Sequence, residues 1–177
     1  MYPVVRMAKE LWLHRSAEPL PIGADHVTTI FVWPWDMDVF LELNNGRALT
    51  LFDLGRFGLF RRMGVLSALK RNGWYGTVAG TAIRYRRRIT VFQKLELRTR
   101  IVGWDDRFTY IEQSFCRGDD CAVHAIIRTA ITSGRGIVPS SEVARAFGLP
   151  EESPDMPDWI RRWSEAEALR PWPPERH

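Results

Sequence analysis

The densest run of potentially reactive side chains lies between residues 36 and 45, which hold Asp36, Asp38, Glu42, Asn44 and Asn45. A carboxylate beside an electrophilic carbonyl can activate water as a general base, or attack the carbonyl itself. An Asn pair just ahead of an apolar-periodic stretch reads as a helix start, because Asn caps helices well. The first backbone N–H groups of a helix have no intrahelical partner and carry partial positive charge. Aimed at a carbonyl, they would polarise it and stabilise an oxyanion formed from it. Each residue also has a plainer reading. Asp36 or Asp38 can order the turn by accepting backbone N–H groups, Asn44 and Asn45 can serve as caps, and Glu42 can sit salt-bridged at a rim.

Other residues offer weaker signals. Arg84, Arg86 and Arg88 fall on alternate positions of a basic run, and guanidinium groups suit phosphate recognition. A solvated polar strand face explains them equally well. Asp53 stands three positions before Arg56, a spacing at which a helix forms an ion pair. His124 lies mid-strand, where a packed histidine is the ordinary case. Cys116 and Cys121 flank a hairpin turn and can face each other across it, but they have no partners at metal-ligand spacing, so no metal centre and no cofactor is expected.

The elements that must position these residues follow in a simple order. Residues 26–33 are rich in Val, Thr, Ile and Phe and read as a strand ended by Pro34. From Asn44 or Asn45 onward, Ala48, Leu51, Phe52, Gly55, Leu59 and Met63 recur at helical spacing. Gly55 and Gly58 on that helix predict close packing against something flat, with a sheet the obvious candidate. Residues 80–89 and 94–102 alternate apolar and charged side chains, a half-buried strand pattern. Two further strands, 107–116 and 121–132, are joined by the tight segment Arg117-Gly118-Asp119-Asp120. A meander after one amphipathic helix predicts an antiparallel sheet with the helix on one face. Short helices are expected near 141–147 and 157–169.

Asp36-Met37-Asp38 six residues before Asn44-Asn45, in this layout, resembles the hot-dog thioesterases of the 4-hydroxybenzoyl-CoA thioesterase type. Their pattern reads D-x-D-x-x-G-H-x-N-N-x-x-Y at the turn into the central helix. Arg84-Tyr85-Arg86-Arg87 and the stretch from Thr99 to Asp105 extend the resemblance, which covers residues 25–138. It implies an α+β hot-dog fold: an antiparallel five-stranded sheet wrapped around one long central helix, here followed by short C-terminal helices. Residues 1–24 would be an N-terminal extension and 139–177 a C-terminal extension packed on the domain.

By the same resemblance the protein is expected to hydrolyse an acyl thioester, from acyl-CoA or an acyl-carrier protein. Asp38, at the family's matching position, would be the base or nucleophile. Glu42 and Asn45 would join it as catalytic residues, and Asn44, Arg84, Arg86 and Arg88 would bind substrate. Two positions depart from the pattern: Leu41-Glu42 replaces the Gly-His, and Ala48 replaces the helix Tyr. A mechanism that uses that His has no counterpart here. A non-catalytic hot-dog module for acyl binding or assembly is therefore the second expectation. A hydratase of this fold lacks its D-x-x-x-x-H spacing.

Composition bounds these readings. A chain of 177 residues with 45% hydrophobic residues suits one domain with a sizeable core. The net charge of +4 permits an anionic ligand without requiring one. Tyr85 alone interleaves the basic run, which is too little stacking surface for a nucleic-acid groove. The amphipathic stretch 1–14 is too short and too charged to span a bilayer, and docking onto the domain is expected instead. A cytoplasmic homodimer or dimer of dimers, its sheets joined edge to edge, completes the expectation.

Overall fold

The central helix begins where the Asn pair predicts. In the computed structural model, which describes residues 2–174, Asn44 is the N-cap of α2 (Asn45–Arg62), its side chain accepting the Arg47 N–H. Before it come α1 (Val4–Leu13), β1 (His26–Phe31) and a 3-10 turn over Pro34–Asp36. After it come α3 (Val65–Asn72), β2 (Tyr75–Tyr85), β3 (Lys94–Trp104), β4 (Thr109–Arg117), β5 (Asp120–Ser133) and β6 (Gly136–Ile137). The chain closes with α4 (Ser140–Phe147) and α5 (Asp158–Ala168), close to the two short helices expected there.

The strands form one antiparallel sheet in the order β1-β3-β4-β5-β2, with β6 paired to the end of β5. The sheet curls around α2. Leu51, Phe52 and Leu54 of the helix meet Leu95, Leu97, Phe115, Val123 and Ala125 of the concave face in the main core. The two helix glycines explain how close this approach is. A Cβ on Gly55 would collide with Thr99 Oγ1 and Leu97, and one on Gly58 would enter the His26 ring. On the convex face, Ile160 and Trp163 of α5 cover Tyr110 and Ile126. The Tyr110 hydroxyl is bonded there to Asp105 and Ser164 at 2.5 Å each.

The structure corrects the sequence reading in four places. The strand expected at 80–89 starts earlier and stops at Tyr85, because the N–H groups of Arg86 and Arg87 both turn to the Ala122 carbonyl and leave the ladder. Ile89 then folds inward, and its carbonyl accepts the Leu43 N–H at 2.8 Å. The two-residue β6 adds a sixth strand to the expected five. The helical stretch beyond Met63 continues as α3 after Gly64 breaks it in a left-handed conformation (φ 72°). Finally, the N-terminal stretch forms a helix that buries Met7 and Glu10. No helix among the described residues is long and apolar enough to cross a membrane.

Candidate active site

Asp36 anchors the approach to α2. Its carboxylate is fully buried and is held from both sides: Arg6 Nη1 lies 2.9 Å from Oδ2, and Arg47 Nε lies 2.6 Å from Oδ1. The Trp33 N–H donates to Oδ2 as well, at 3.0 Å. Arg6 also donates to the Phe31 carbonyl at 2.6 Å, so α1, β1 and α2 meet at this carboxylate. A buried carboxylate with this many partners is structural, because every lone pair that faces a donor is committed.

Asp38 lies two residues further on, at the head of a tight loop. Its N–H donates to the Glu42 carbonyl at 2.8 Å, and its Oδ1 accepts the N–H groups of Phe40 (2.8 Å) and Glu42 (3.2 Å). Among the described residues, nothing donates to Oδ2 of Asp38. The loop turns through Leu41 at φ 58° and leaves Val39, Phe40 and Leu41 almost wholly exposed, at 89%, 75% and 73%. Three adjoining exposed apolar side chains beside a carboxylate make an apolar lip to the site.

Glu42 is salt-bridged to Arg88, with Nε–Oε1 at 2.7 Å, at a rim where both side chains reach solvent. Asn44 spends its side chain on the Arg47 N–H at 3.0 Å. Asn45 and Gly46 then start the helix with N–H groups that have no intrahelical acceptor. The Tyr85 hydroxyl reaches the Asn45 carbonyl at 3.5 Å, and burial raises the Tyr85 pKa. Two depressions flank this helix start. A small one, about 70 Å³, is lined by Glu42, Asn45, Tyr85 and Arg87. A wider one, about 370 Å³, is lined by Tyr2, Trp35, Asn44 and Arg47.

Asp38, Glu42, Asn44, Asn45 and Arg88 are thus brought together at one end of α2. Arg84 and Arg86 are not. Strand alternation turns Ile83 and Tyr85 toward α2, so Arg84 faces the convex side of the sheet. Arg86 follows the end of β2 and is exposed. Neither guanidinium has a partner among the described residues, whereas Arg87 pairs loosely with Asp120 at 3.5 Å.

Two secondary candidates keep their plainer readings. Asp53 is ion-paired with Arg56, which also donates to Gln113 at 2.7 Å. Gln113 in turn donates to Thr99 Oγ1 and the Phe52 carbonyl, at 2.9 Å each. This buried network ties helix to sheet. Burial raises the Asp53 pKa, against the pull of Arg56, and burial together with the Asp53 carboxylate pushes Tyr2 up to about 12. His124 is half-buried and bonded to Glu112 at 2.8 Å on the convex face. The roles of Arg6 and Arg47 escaped the sequence reading. Arg47 lies eleven positions from Asp36 and Arg6 thirty, and no spacing rule links such residues.

A curled antiparallel sheet around one long helix is the hot-dog architecture, and comparison with known proteins agrees. The profile of the Thioesterase-like superfamily matches residues 32–164, and the chain belongs to that superfamily. It is 33% identical over 139 residues to Protein THEM6 of Xenopus laevis, covering 78% of this chain and 67% of the relative. Protein THEM6 of Danio rerio is 34% identical over 139 residues, covering 76% and 69%. Among solved structures, a probable thioesterase from Bartonella henselae superposes with a TM-score of 0.59 at 25% identity, over 66% of this chain and 97% of its own. YbaW, a probable thioesterase from Escherichia coli, gives 0.63 at 16% identity, over 68% and 94%, a likeness of fold.

Proposed function

We propose that this protein hydrolyses acyl thioesters, acyl-CoA first among them, with Asp38 as general base or nucleophile. The observation that carries this reading is the placement of Asp38. One carboxylate oxygen is fixed by two turn amides and the other is left open, one loop away from the unpaired amides at the start of α2. A thioester carbonyl seated between them would meet the carboxylate on one side and N–H donors for its oxyanion on the other. The apolar lip at 39–41 suits an acyl chain, and Arg88, with Arg86 nearby in sequence, suits the phosphates of CoA. Solved relatives of this fold include one described as a gentisyl-coenzyme A thioesterase, similar at a TM-score of 0.60 and 13% identity.

The bond between Asp38 and the turn amides also favours a second reading, a non-catalytic acyl-binding module in which Asp38 only shapes the loop. Thiol release from a panel of short, long and aromatic acyl-CoAs decides between them. We expect turnover by the wild type and a loss of about a hundredfold or more in kcat/KM for a folded Asp38→Asn. Asn keeps the acceptor for the turn amides but is neither base nor nucleophile. Full activity in Asp38→Asn would discard this site, and wild-type inactivity on the whole panel would favour the binding module.

A further inference from the structure

Among the described residues, most of the buried side-chain nitrogens that lack a partner gather in one place, outside the candidate active site. Among the described residues, the buried side-chain nitrogens without a hydrogen-bond partner are His14 Nε2, both ring nitrogens of His26, and Arg128 Nε. Three of these four belong to two histidine rings that meet edge to face with centroids 4.6 Å apart. His26, the first residue of β1, is fully buried. Leaving a buried nitrogen without a partner is costly, and two facing rings that each offer one to the same space point to an occupant.

Glu10 supplies the third wall. It lies one helical turn before His14, is itself buried, and its Oε2 stands 3.5 Å from His14 Nε2. One ligand atom each from Glu10, His14 and His26 lie within 4.8 Å of one another. Thr28 Oγ1 donates to Glu10 Oε2 at 2.7 Å and orients the carboxylate, as outer-shell donors do at metal centres. Neither ring nitrogen of His26 is committed to a hydrogen bond, and a neutral imidazole keeps one lone pair for a ligand.

We propose that Glu10, His14 and His26 bind a divalent transition metal, zinc by preference, which fastens α1 to the start of β1. Two imidazoles and a carboxylate are a zinc donor set, with bonds of about 2.0–2.2 Å. Ligand atoms around a tetrahedral ion with such bonds stand about 3.4 Å apart, so from separations of up to 4.8 Å closure requires a contraction of at most about 1.4 Å. His14 can supply it, since its side chain is 18% exposed at the mouth of the site. Water takes the fourth position from that side. The ion would fix the far end of the helix whose Arg6 holds Asp36.

The test uses the untagged 177-residue chain, stripped of metal with a chelator and desalted. Zinc chloride is titrated by calorimetry, and cobalt chloride by visible absorption. We expect one equivalent bound, the d–d bands of four-coordinate cobalt, and a higher Tm with zinc. His14→Gln and Glu10→Gln should each weaken binding at least about tenfold. His26→Gln disturbs the packing on Gly58, so His14→Gln, at the open mouth, is the deciding variant, with the circular dichroism of its metal-free form matching wild type. Absence of stoichiometric binding, or a folded His14→Gln that titrates like wild type, overturns the proposal.

Discussion

At the scale of single residues, the two aspartates of the D-x-D stretch have divergent surroundings although they are separated by one position. Asp36 is enclosed by Arg6, Arg47 and the Trp33 N–H, while Asp38 keeps one oxygen open. Spacing alone could not assign these roles, since both aspartates precede the same helix. What separates them is Arg6, which arrives from α1. Truncating Asp36 would remove the buried carboxylate that Arg6 and Arg47 share, and breaking such a buried arrangement costs on the order of 3–5 kcal/mol. Asp36→Ala should therefore lower the denaturation midpoint far more than Asp38→Ala, as urea unfolding followed by tryptophan fluorescence would measure. The Glu42–Arg88 pair is the opposite case. It is exposed and contributes at most about 1 kcal/mol.

At the scale of elements, much was legible. The Asn44 cap, the apolar face of α2, the meander and both C-terminal helices follow from local pattern. Gly55 and Gly58 announced a flat neighbour. That neighbour is β3 at Gly55 and the first residue of β1 at Gly58. Helix α1 escaped the reading because no capping side chain marks its start and a proline stands at its N-cap. The end of β2 escaped because the alternation of Arg84, Arg86 and Arg88 continues past the point where the backbone leaves the ladder. Gly55→Ala tests the helix–sheet contact. Alanine improves intrinsic helix propensity by about 1 kcal/mol, but overpacking against Thr99 and Leu97 costs about 1–3 kcal/mol. Net destabilisation is expected in thermal unfolding, and a stabilised Gly55→Ala would show that the sheet can yield.

At the scale of the whole molecule, the sheet ends in two unequal edges. The edge strand β1 has six residues, and Arg6 occupies its Phe31 carbonyl. The other edge strand, β2, runs eleven residues, mostly exposed, with Tyr75 and Val78 open to solvent at 70% and 50%. Its ladder is irregular between Val78 and Gly80, but an exposed edge of this length still favours addition of another strand. We expect sedimentation to give a dimer of the 20.5 kDa chain, and Val78→Lys, which sets like charges against each other at that edge, to shift it toward monomer. A dimer unchanged in Val78→Lys would move the interface elsewhere.

The placement of α5 gives this edge a further meaning. Because α5 covers part of the convex face and α2 fills the concave one, two copies have little room to stack sheet upon sheet. Two copies meeting across a twofold axis would each consume the other's open strand, and the product would present only its short, arginine-guarded margins. Growth by strand addition would then stop after one step, yielding a closed pair and denying a third chain the template from which a fibril is built.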